Sequence, residues 1–382
     1  MSIAEIQSAA LSGDIEEIKR LESGLSAEEK KAAVMAEGYA AIRNAAKNGH
    51  IETIKYLESH LSAAEQKAAV MENGYYTAIR YAAENGHTET IKYLESHLSA
   101  AEQKAAVMAG NYAAIQNAAE NGHTETIKYL ESHLSSEEQK VAVMAEGYAA
   151  IRQAAKNGHT ETIKYLESHL SSEEQKAAGM AGNYAAIRNA AQNGHTGTIK
   201  YFESHLSAEE QKAAVMAYNY AAIRNAAYNG HTETVKYLES HLSSEEQKAA
   251  VRALDYVAIH NAAQNGHNAT FRHFLTIDDT VLAYAEAHVR ECGSLVNPYI
   301  SERIADLRMR KLNAEANNPQ VVFDVGEEEA RCIFYMIRNL IRRGANNPHM
   351  MHDDIVFLLE IPAVKALAGA EVNGVESNEL LR

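Results

Sequence analysis

The sequence of 382 residues contains no tryptophan, only two cysteines and only four prolines. Two thiols, Cys292 and Cys332, are too few for a disulfide framework and indicate a reducing compartment. All four prolines follow residue 297, so the earlier part of the chain lacks the strongest helix breaker. Long apolar runs are also missing, and no basic segment followed by an apolar core opens the chain. We therefore expect neither a membrane-inserted helix nor a classical signal peptide.

Basic residues are the scarcer charge, with 36 Lys and Arg against 51 Asp and Glu, and the net charge is −15. A phosphate backbone would be repelled by this field, so a nucleic acid is not an expected partner. The hydrophobic fraction of 46% and the charged fraction of 23% are those of a folded chain rather than a disordered one. A protein partner remains compatible with this composition.

What the sequence has in abundance is internal repetition. An Asn-Gly-His tripeptide recurs every 36 residues, with one interval of 37 that reflects an inserted residue at Tyr75 or Tyr76. Ser12-Gly13-Asp14 is a degenerate first copy, so the pattern predicts about eight repeats. The glycines that mark the tripeptides are Gly49, Gly86, Gly122, Gly158, Gly194, Gly230 and Gly266.

One repeat, 147–182, carries three helix signals and no strand signal. The first helix is predicted over 149–156 and ends at Asn157-Gly158, since glycine suits the left-handed C-cap. The second is predicted over 160–170, where Ile163, Leu166 and Leu170 share one face. The third begins after Ser171, because Ser171 and Glu174 form a capping box that recurs in the other copies.

The segment AAIRQAAKNGHTETIKYL, 149–166, resembles the ankyrin repeat, whose hallmarks include an Ala-Ala pair followed by Gly-His. Two features depart from that family: the Thr-Pro-Leu-His start reads Ala-Ala-Ile-Arg, and the period is 36 rather than 33. The extra length falls where ankyrins carry a β-hairpin finger. A tetratricopeptide-like array is the alternative, but the chain has no tryptophan and no proline ends a repeat.

We therefore predict an all-α fold: an ankyrin-like solenoid with three helices per repeat over 1–275, in which a helix replaces the finger hairpin. Residues 276–382 lack the repeat and are predicted to form a small C-terminal helical domain that caps the array. Its expected helices are about 279–292, 298–316, 327–343 and 354–370, the last one bent or broken at Pro362.

The copies share an ancestor, so the columns that differ among them either drift neutrally on a solvated face or have diverged to bind a partner. The resemblance implies a concave binding face made by the first helices and the finger tips. One variable column precedes Asn-Gly-His and another lies in the turn after the third helix; both become aromatic or apolar towards the C-terminus, which favours an interface. The candidate partner-binding residues are Lys47, Glu84, Glu120, Lys156, Gln192, Tyr228 and Gln264 in the first column, and Tyr218 and Leu254 in the second.

Residues that could act in catalysis or bind a metal form weaker patterns than the repeat does. Each repeat has two histidines, such as His159 and His169, for which we expect structural roles rather than metal binding. A thiol–histidine site is the enzyme alternative, and a loop with three ligand-type residues is a second weak candidate. The residues concerned are His288, Cys292, Cys332, His349, His352 and Asp353. We expect no cofactor and no metal.

The sequence thus favours a monomeric, non-enzymatic protein-binding scaffold in the cytoplasm. Near-identical ankyrin-type arrays resemble effectors of intracellular bacteria, of the Legionella or Coxiella type. That resemblance implies delivery into a host cytosol by a non-classical route and a host protein as partner. The alternative is an enzyme whose C-terminal domain acts on a protein recruited by the repeats.

Overall fold

The computed structural model of the chain describes residues 3–277, together with 281, 305–314, 324–325, 330, 333, 337 and 357–366. Residues 3–277 are helical throughout, and no strand occurs among the described residues. The helices are α1 Ile3–Ser12, α2 Ile15–Leu21, α3 Ala27–Lys47, α4 Ile51–Glu58, α5 Ala63–Met71, α6 Thr77–Glu84, α7 Thr88–Glu95, α8 Ala100–Glu120, α9 Thr124–Glu131, α10 Ser136–Lys156, α11 Thr160–Glu167, α12 Ser172–Gln192, α13 Thr196–Glu203, α14 Ala208–Tyr228, α15 Thr232–Glu239, α16 Ser244–Gln264 and α17 Asn268–Ile277.

The chain divides into two compact units, Met1–Ala214 and Val215–Arg382. The first unit contains α1 to α13, and its consecutive repeats stack through α3, α6, α8, α10 and α12. The second unit contains α15 to α17, with α17 packed on α15 and α16, and the residues that follow. The boundary falls within α14.

The prediction of three helices per repeat, with a helix in place of the finger hairpin, is confirmed. Each 21-residue segment such as α10 is two helices separated by a break, at Ala145–Tyr148 in this case. The part before the break is the predicted third helix, which we call the finger helix, and the part after it is the first helix of the next repeat, which we call the inner helix. The short helix that follows Asn-Gly-His, such as α11, is the outer helix.

The capping boxes form as expected. In α12 the amide of Glu174 donates to Ser171 Oγ (3.4 Å), and the carboxylate of Glu174 accepts from the amide of Ser171 (2.9 Å). These reciprocal bonds satisfy two backbone donors that a helix start otherwise leaves open. The same box is present at Ser26, Ser62, Ser99, Ser135 and Ser243.

The predicted extent of the outer helix is wrong at its C-terminal end. The helix that begins at Thr160 ends at Glu167 rather than at Leu170. The residues that follow form a tighter turn, in which the amide of Leu170 donates to the carbonyl of Glu167 (3.0 Å). The Gln175 amide group of the finger helix donates to the carbonyls of Glu167 (2.9 Å) and Leu170 (3.3 Å), which have no α-helical partner there.

Small side chains set the spacing of the stack. Ala154 and Ala155 of one inner helix are fully buried, as are the corresponding alanine pairs of the other inner helices of Met1–Ala214. Ile151, Ile163 and Leu166 fill the space between inner and outer helices and are also fully buried. The insertion in the third repeat is Tyr75, which is 65% exposed, whereas Tyr76 is buried, as Tyr112 and Tyr184 of its column are.

The C-terminal residues that the structure describes are mostly helical and pack against one another. Residues 305–314 form one helical stretch, and the helix over 357–366 is interrupted at Glu360 and Ile361, just before Pro362, as predicted. The Asp324 carboxylate accepts from the amide of Ala363 (3.0 Å) and so caps the second part of that helix. Fully or nearly fully buried side chains here are Val281, Leu307, Ala330, Ile333, Ile337, Leu358, Ile361 and Val364.

Candidate interaction surface

The break between finger helix and inner helix places the second variable column at an exposed tip. Three consecutive residues adopt left-handed backbone angles there, as at Tyr218, Asn219 and Tyr220, with φ of 50°, 55° and 58°. Such a run is costly for non-glycine residues, at roughly 1–2 kcal/mol each. Tyr218 is 60% exposed, and Leu254 in the next copy is 54% exposed.

A side chain of the inner helix braces five of these turns, namely an arginine in four copies (Arg43, Arg152, Arg188 and Arg224) and Gln116 in the fifth. Arg152 donates to the carbonyl of Glu146 (3.0 Å), and Arg224 donates to the carbonyl of Tyr218 (3.0 Å). Because the bond goes to the backbone, the side chain at the tip does not affect it. This explains why the tip residue differs among these five copies, as in Glu37, Gly110, Glu146, Gly182 and Tyr218, without loss of the turn.

The first variable column lies at the opposite end of the inner helix. Its residues keep a backbone role: the carbonyl of Tyr228 accepts from Asn265 Nδ2 (3.3 Å) and His267 Nε2 (2.9 Å) of the next repeat. The side chains are free of that role and vary. Tyr228 is 50% exposed, and Lys156, Gln192 and Gln264 are exposed as well.

Three other members of this column, Lys47, Glu84 and Glu120, are half-buried. Lys47 Nζ lies 5.8 Å from the ring centroid of Tyr81, and Glu120 pairs with Lys156 at 3.6 Å. Glu120 and Lys156, members of this column in neighbouring repeats, are thus brought together. The tip residue and the column residue of one repeat are separated by an inner helix of about 12 Å, at 1.5 Å per residue.

The invariant columns, in contrast, are used for stacking. His195 lies against Gly158 of the preceding repeat so closely that a Cβ on that glycine would be 2.6 Å from Nδ1. Gly158 also has φ of +76°, which glycine alone adopts without strain. The Asn-Gly-His tripeptide is therefore a contact between repeats, and the structural role expected for its histidine is confirmed.

A row of buried glutamates, which the sequence analysis missed, links the outer helices. Glu131 is 1% exposed, and its Oε2 accepts from Tyr165 Oη (2.5 Å) and lies 3.1 Å from His169 Nε2 of the next repeat. The helical spacing could have predicted this burial. Glu131 follows Ile127 by four residues and Leu130 by one, which places it on the buried face of its helix. Four further glutamates of Met1–Ala214 repeat the arrangement with the tyrosine, namely Glu22, Glu58, Glu95 and Glu167.

Burial governs the titration of this row. Desolvation raises the pKa of Glu167 to about 7, against the opposing effect of the Tyr201 hydrogen bond. The pKa of Glu95 is raised for the same reason, and the bonds from Tyr129 and His133 lower it in part. In the last outer helix, α17, the tyrosine position is occupied by His273, which contacts Glu239, and burial raises the pKa of that carboxyl too.

An outer row of ion pairs links the finger helices. Lys140 Nζ lies 2.7 Å from Glu174 of the next repeat, and Lys104 lies 2.6 Å from Glu138. The lysine bond is the largest cause that lowers the pKa of Glu174 to about 2, and the capping-box bonds act in the same direction. At neutral pH the carboxylate of Glu174 is therefore charged, both as the partner of the lysine and as a member of the capping box.

No group of three metal-ligand side chains occurs within the part of the chain that the structure describes. The enzyme and metal candidates of the sequence analysis, His288, Cys292, Cys332, His349, His352 and Asp353, all lie outside the described residues. Among the described helices, none combines the length and the apolar character that crossing a bilayer requires.

Stacked units of inner, outer and finger helices, with variable tips and an invariant buried lattice, define a helical repeat scaffold. A family model for ankyrin repeats in three copies matches residues 6–106. The crystal structure of an ankyrin repeat family protein from Legionella pneumophila is similar, with 31% identity and a TM-score of 0.56 over 71% of this chain and 76% of that one. A comparison with curated proteins gives no match. The chain belongs to the ankyrin repeat family.

Proposed function

We propose that the chain is a protein-binding scaffold that acts without catalysis, and that its partner docks on the variable columns, with Tyr218, Tyr228 and Leu254 as the anchors. Ankyrin repeats are in general protein-interaction modules. The observation that carries the proposal is that these three large side chains are 50–60% exposed. Large, rigid aromatic side chains supply most of the binding energy in interfaces, often 2 kcal/mol or more each.

The other copies offer a way to remove the anchors without disturbing the repeats. The variant Tyr218→Gly, Tyr228→Gln, Leu254→Glu carries at each position a residue found in the same column elsewhere in the chain. We expect affinity capture from host-cell lysate to recover a protein with the native chain and to lose it with this variant. A matched variant, Lys156→Gln with Gln192→Lys, exchanges two polar members of the first column and should retain the partner. Equal capture by the native chain and the anchor variant would place the interface elsewhere.

We propose further that the partner is a host protein met after delivery into a host cytosol. The Legionella pneumophila neighbour supports this origin. A reporter-enzyme fusion of the chain expressed in Legionella pneumophila should reach the cytosol of infected cells. A fusion that stays in the bacteria would contradict this proposal.

Residues 276–382 are proposed to cap the array, and the full chain is proposed to be a monomer. Phe271, Phe274 and Leu275 of the last repeat are buried, and stacked repeats need a polar end for solubility. Deletion of 276–382 should therefore give a chain that self-associates and loses hydrogen-exchange protection in its last repeat. Light scattering should give the monomer mass for the full chain. A truncated chain that is monomeric and protected up to residue 275 would show that the segment is an independent module.

A further inference from the structure

A second exposed apolar feature lies on the finger helices of Met1–Ala214. Each of these helices ends in a methionine directly before the break; Met35, Met108 and Met144 are 37%, 40% and 39% exposed, and Met71 and Met180 are half-buried. A small apolar residue precedes each methionine by three positions and shares its face, as Val141 does at 47% exposure. The methionine band consists of Ala32 and Met35, Ala68 and Met71, Ala105 and Met108, Val141 and Met144, and Ala177 and Met180.

The members of the band are side by side rather than scattered. Neighbouring finger helices are held together by the ion pairs Lys31–Glu65, Lys67–Glu102, Lys104–Glu138 and Lys140–Glu174, each at 2.6–2.7 Å. Packed helices lie about 8–10 Å apart. One apolar pair therefore follows the next at about that interval across five finger helices.

Exposed carboxylates flank the band at the start of three of its finger helices and at the tip of two. Glu28, Glu137 and Glu173 are exposed in the first turn of their helices, four positions before the small apolar residue and on the same face. At the other end, Glu37 and Glu146 are exposed at the tips. With a net charge of −15 for the whole chain, this surface attracts a cationic ligand and repels an anionic one.

The spacing of the apolar pairs and the negative charge around them indicate the kind of ligand that fits this surface. An α-helix advances about 10.5 Å in seven residues, so a helix laid across the finger helices would present the same face to each of them in turn. Methionine side chains are flexible and polarizable and adapt to apolar residues of different shape. We propose that the methionine band binds a basic amphipathic helix of a partner protein, with one apolar cluster of that helix per repeat.

This proposal rests on the protein-binding role argued above, but its apolar contacts lie on the finger helices rather than at Tyr218, Tyr228 and Leu254. The probe is a synthetic helical peptide of about 21 residues, long enough for three repeats, with two leucines in each heptad and lysine elsewhere on the exposed face. A peptide of the same composition with its leucines dispersed around the helix is the control. The readout is the methyl spectrum of the full chain labelled at its 11 methionines.

The amphipathic peptide should shift the resonances of Met35, Met71, Met108, Met144 and Met180, and the dispersed peptide should not. The variant Met108→Gln, Met144→Gln should weaken binding about tenfold or more, because two central contacts become polar. The variant Tyr218→Gly, Tyr228→Gln, Leu254→Glu should bind the peptide as the native chain does, which separates this surface from the variable columns. Equal binding of both peptides, or native affinity in the methionine variant with its circular dichroism intact, would overturn the proposal.

Discussion

Gly179 and Phe202 form a compensating pair that tests how tightly one repeat is packed. The other finger helices carry valine at the position of Gly179, and most other outer helices carry leucine at the position of Phe202. Phe202 is fully buried, and a Cβ on Gly179 would lie 3.6 Å from Phe202 Cδ1. Alanine would therefore fit at residue 179, whereas the two further methyl groups of valine would collide with the ring.

The magnitudes follow from this geometry. Phe202→Leu alone leaves unfilled space and should cost about 1 kcal/mol. Gly179→Val alone overpacks the site and should cost about 1–3 kcal/mol, offset by about 0.5 kcal/mol of helix propensity. The double variant restores the pair found in other repeats, such as Val143 and Leu166, and should be at least as stable as the native chain.

Urea unfolding followed by circular dichroism gives the free energies, and hydrogen exchange of 172–206 locates the change in the affected repeat. We expect a coupling energy of about 2–3 kcal/mol between the two sites. The reversed cycle, Val143→Gly with Leu166→Phe, is the matched control and should show coupling of similar size. Effects that add within about 0.5 kcal/mol would refute the idea that Gly179 makes room for Phe202.

Three further predictions concern the lattice between repeats. Gly158→Ala should destabilise the chain by about 2 kcal/mol or more in urea unfolding, because the new Cβ meets the His195 ring and the backbone is left-handed. Ser171→Ala should lower stability by about 0.5–2 kcal/mol through loss of the N-cap, measured as hydrogen exchange in the first turn of the helix. Glu167→Gln should stabilise the chain at pH 8 by about 2–3 kcal/mol and leave it nearly unchanged at pH 4, measured by urea unfolding at both values.

The sign of the pH effect follows from the raised pKa. The folded chain keeps the Glu167 proton up to about pH 7, whereas the unfolded chain releases it near the ordinary value of 4.5. The contribution of protonated Glu167 to the stability of the fold is therefore present in full below pH 4.5 and is lost as the pH rises to about 7. Glutamine keeps the acceptor for Tyr201 without the charge. A variant that shows the same pH dependence as the native chain would contradict this account.

Each of the other two predictions has an internal control. Gly197→Ala should be neutral or stabilising, because that glycine is helical and a Cβ there meets nothing within 4 Å. Ser172→Ala removes an exposed hydroxyl next to the cap and should leave the helix start unchanged. If Gly158→Ala and Gly197→Ala changed the free energy of unfolding equally, the contact between Gly158 and His195 would contribute nothing to stability. Equal exchange after Ser171→Ala and Ser172→Ala would show that the capping box is not needed.

The sequence by itself determined the features that depend on local chemistry. The recurring Asn-Gly-His set the register of the repeats, and the Ser171–Glu174 spacing located the start of a finger helix, because a cap and its helix are adjacent in the chain. Helical spacing of Ile163 and Leu166 identified the buried face. The family resemblance added the expectation that a hairpin finger had been replaced, and the absence of strands in the described residues agrees with it.

Only the tertiary structure decided the features that join residues of different repeats. The bond from Tyr165 to Glu131 and the contact of His195 with Gly158 span 34 and 37 residues, and no local preference encodes such pairs. The left-handed break at the finger tip opposes the intrinsic preference of its residues and persists because an arginine and the packing of neighbours hold it. The exposure of Tyr218, Leu254 and Met144 was likewise a property of the stack, since burial is decided by which neighbours cover a side chain.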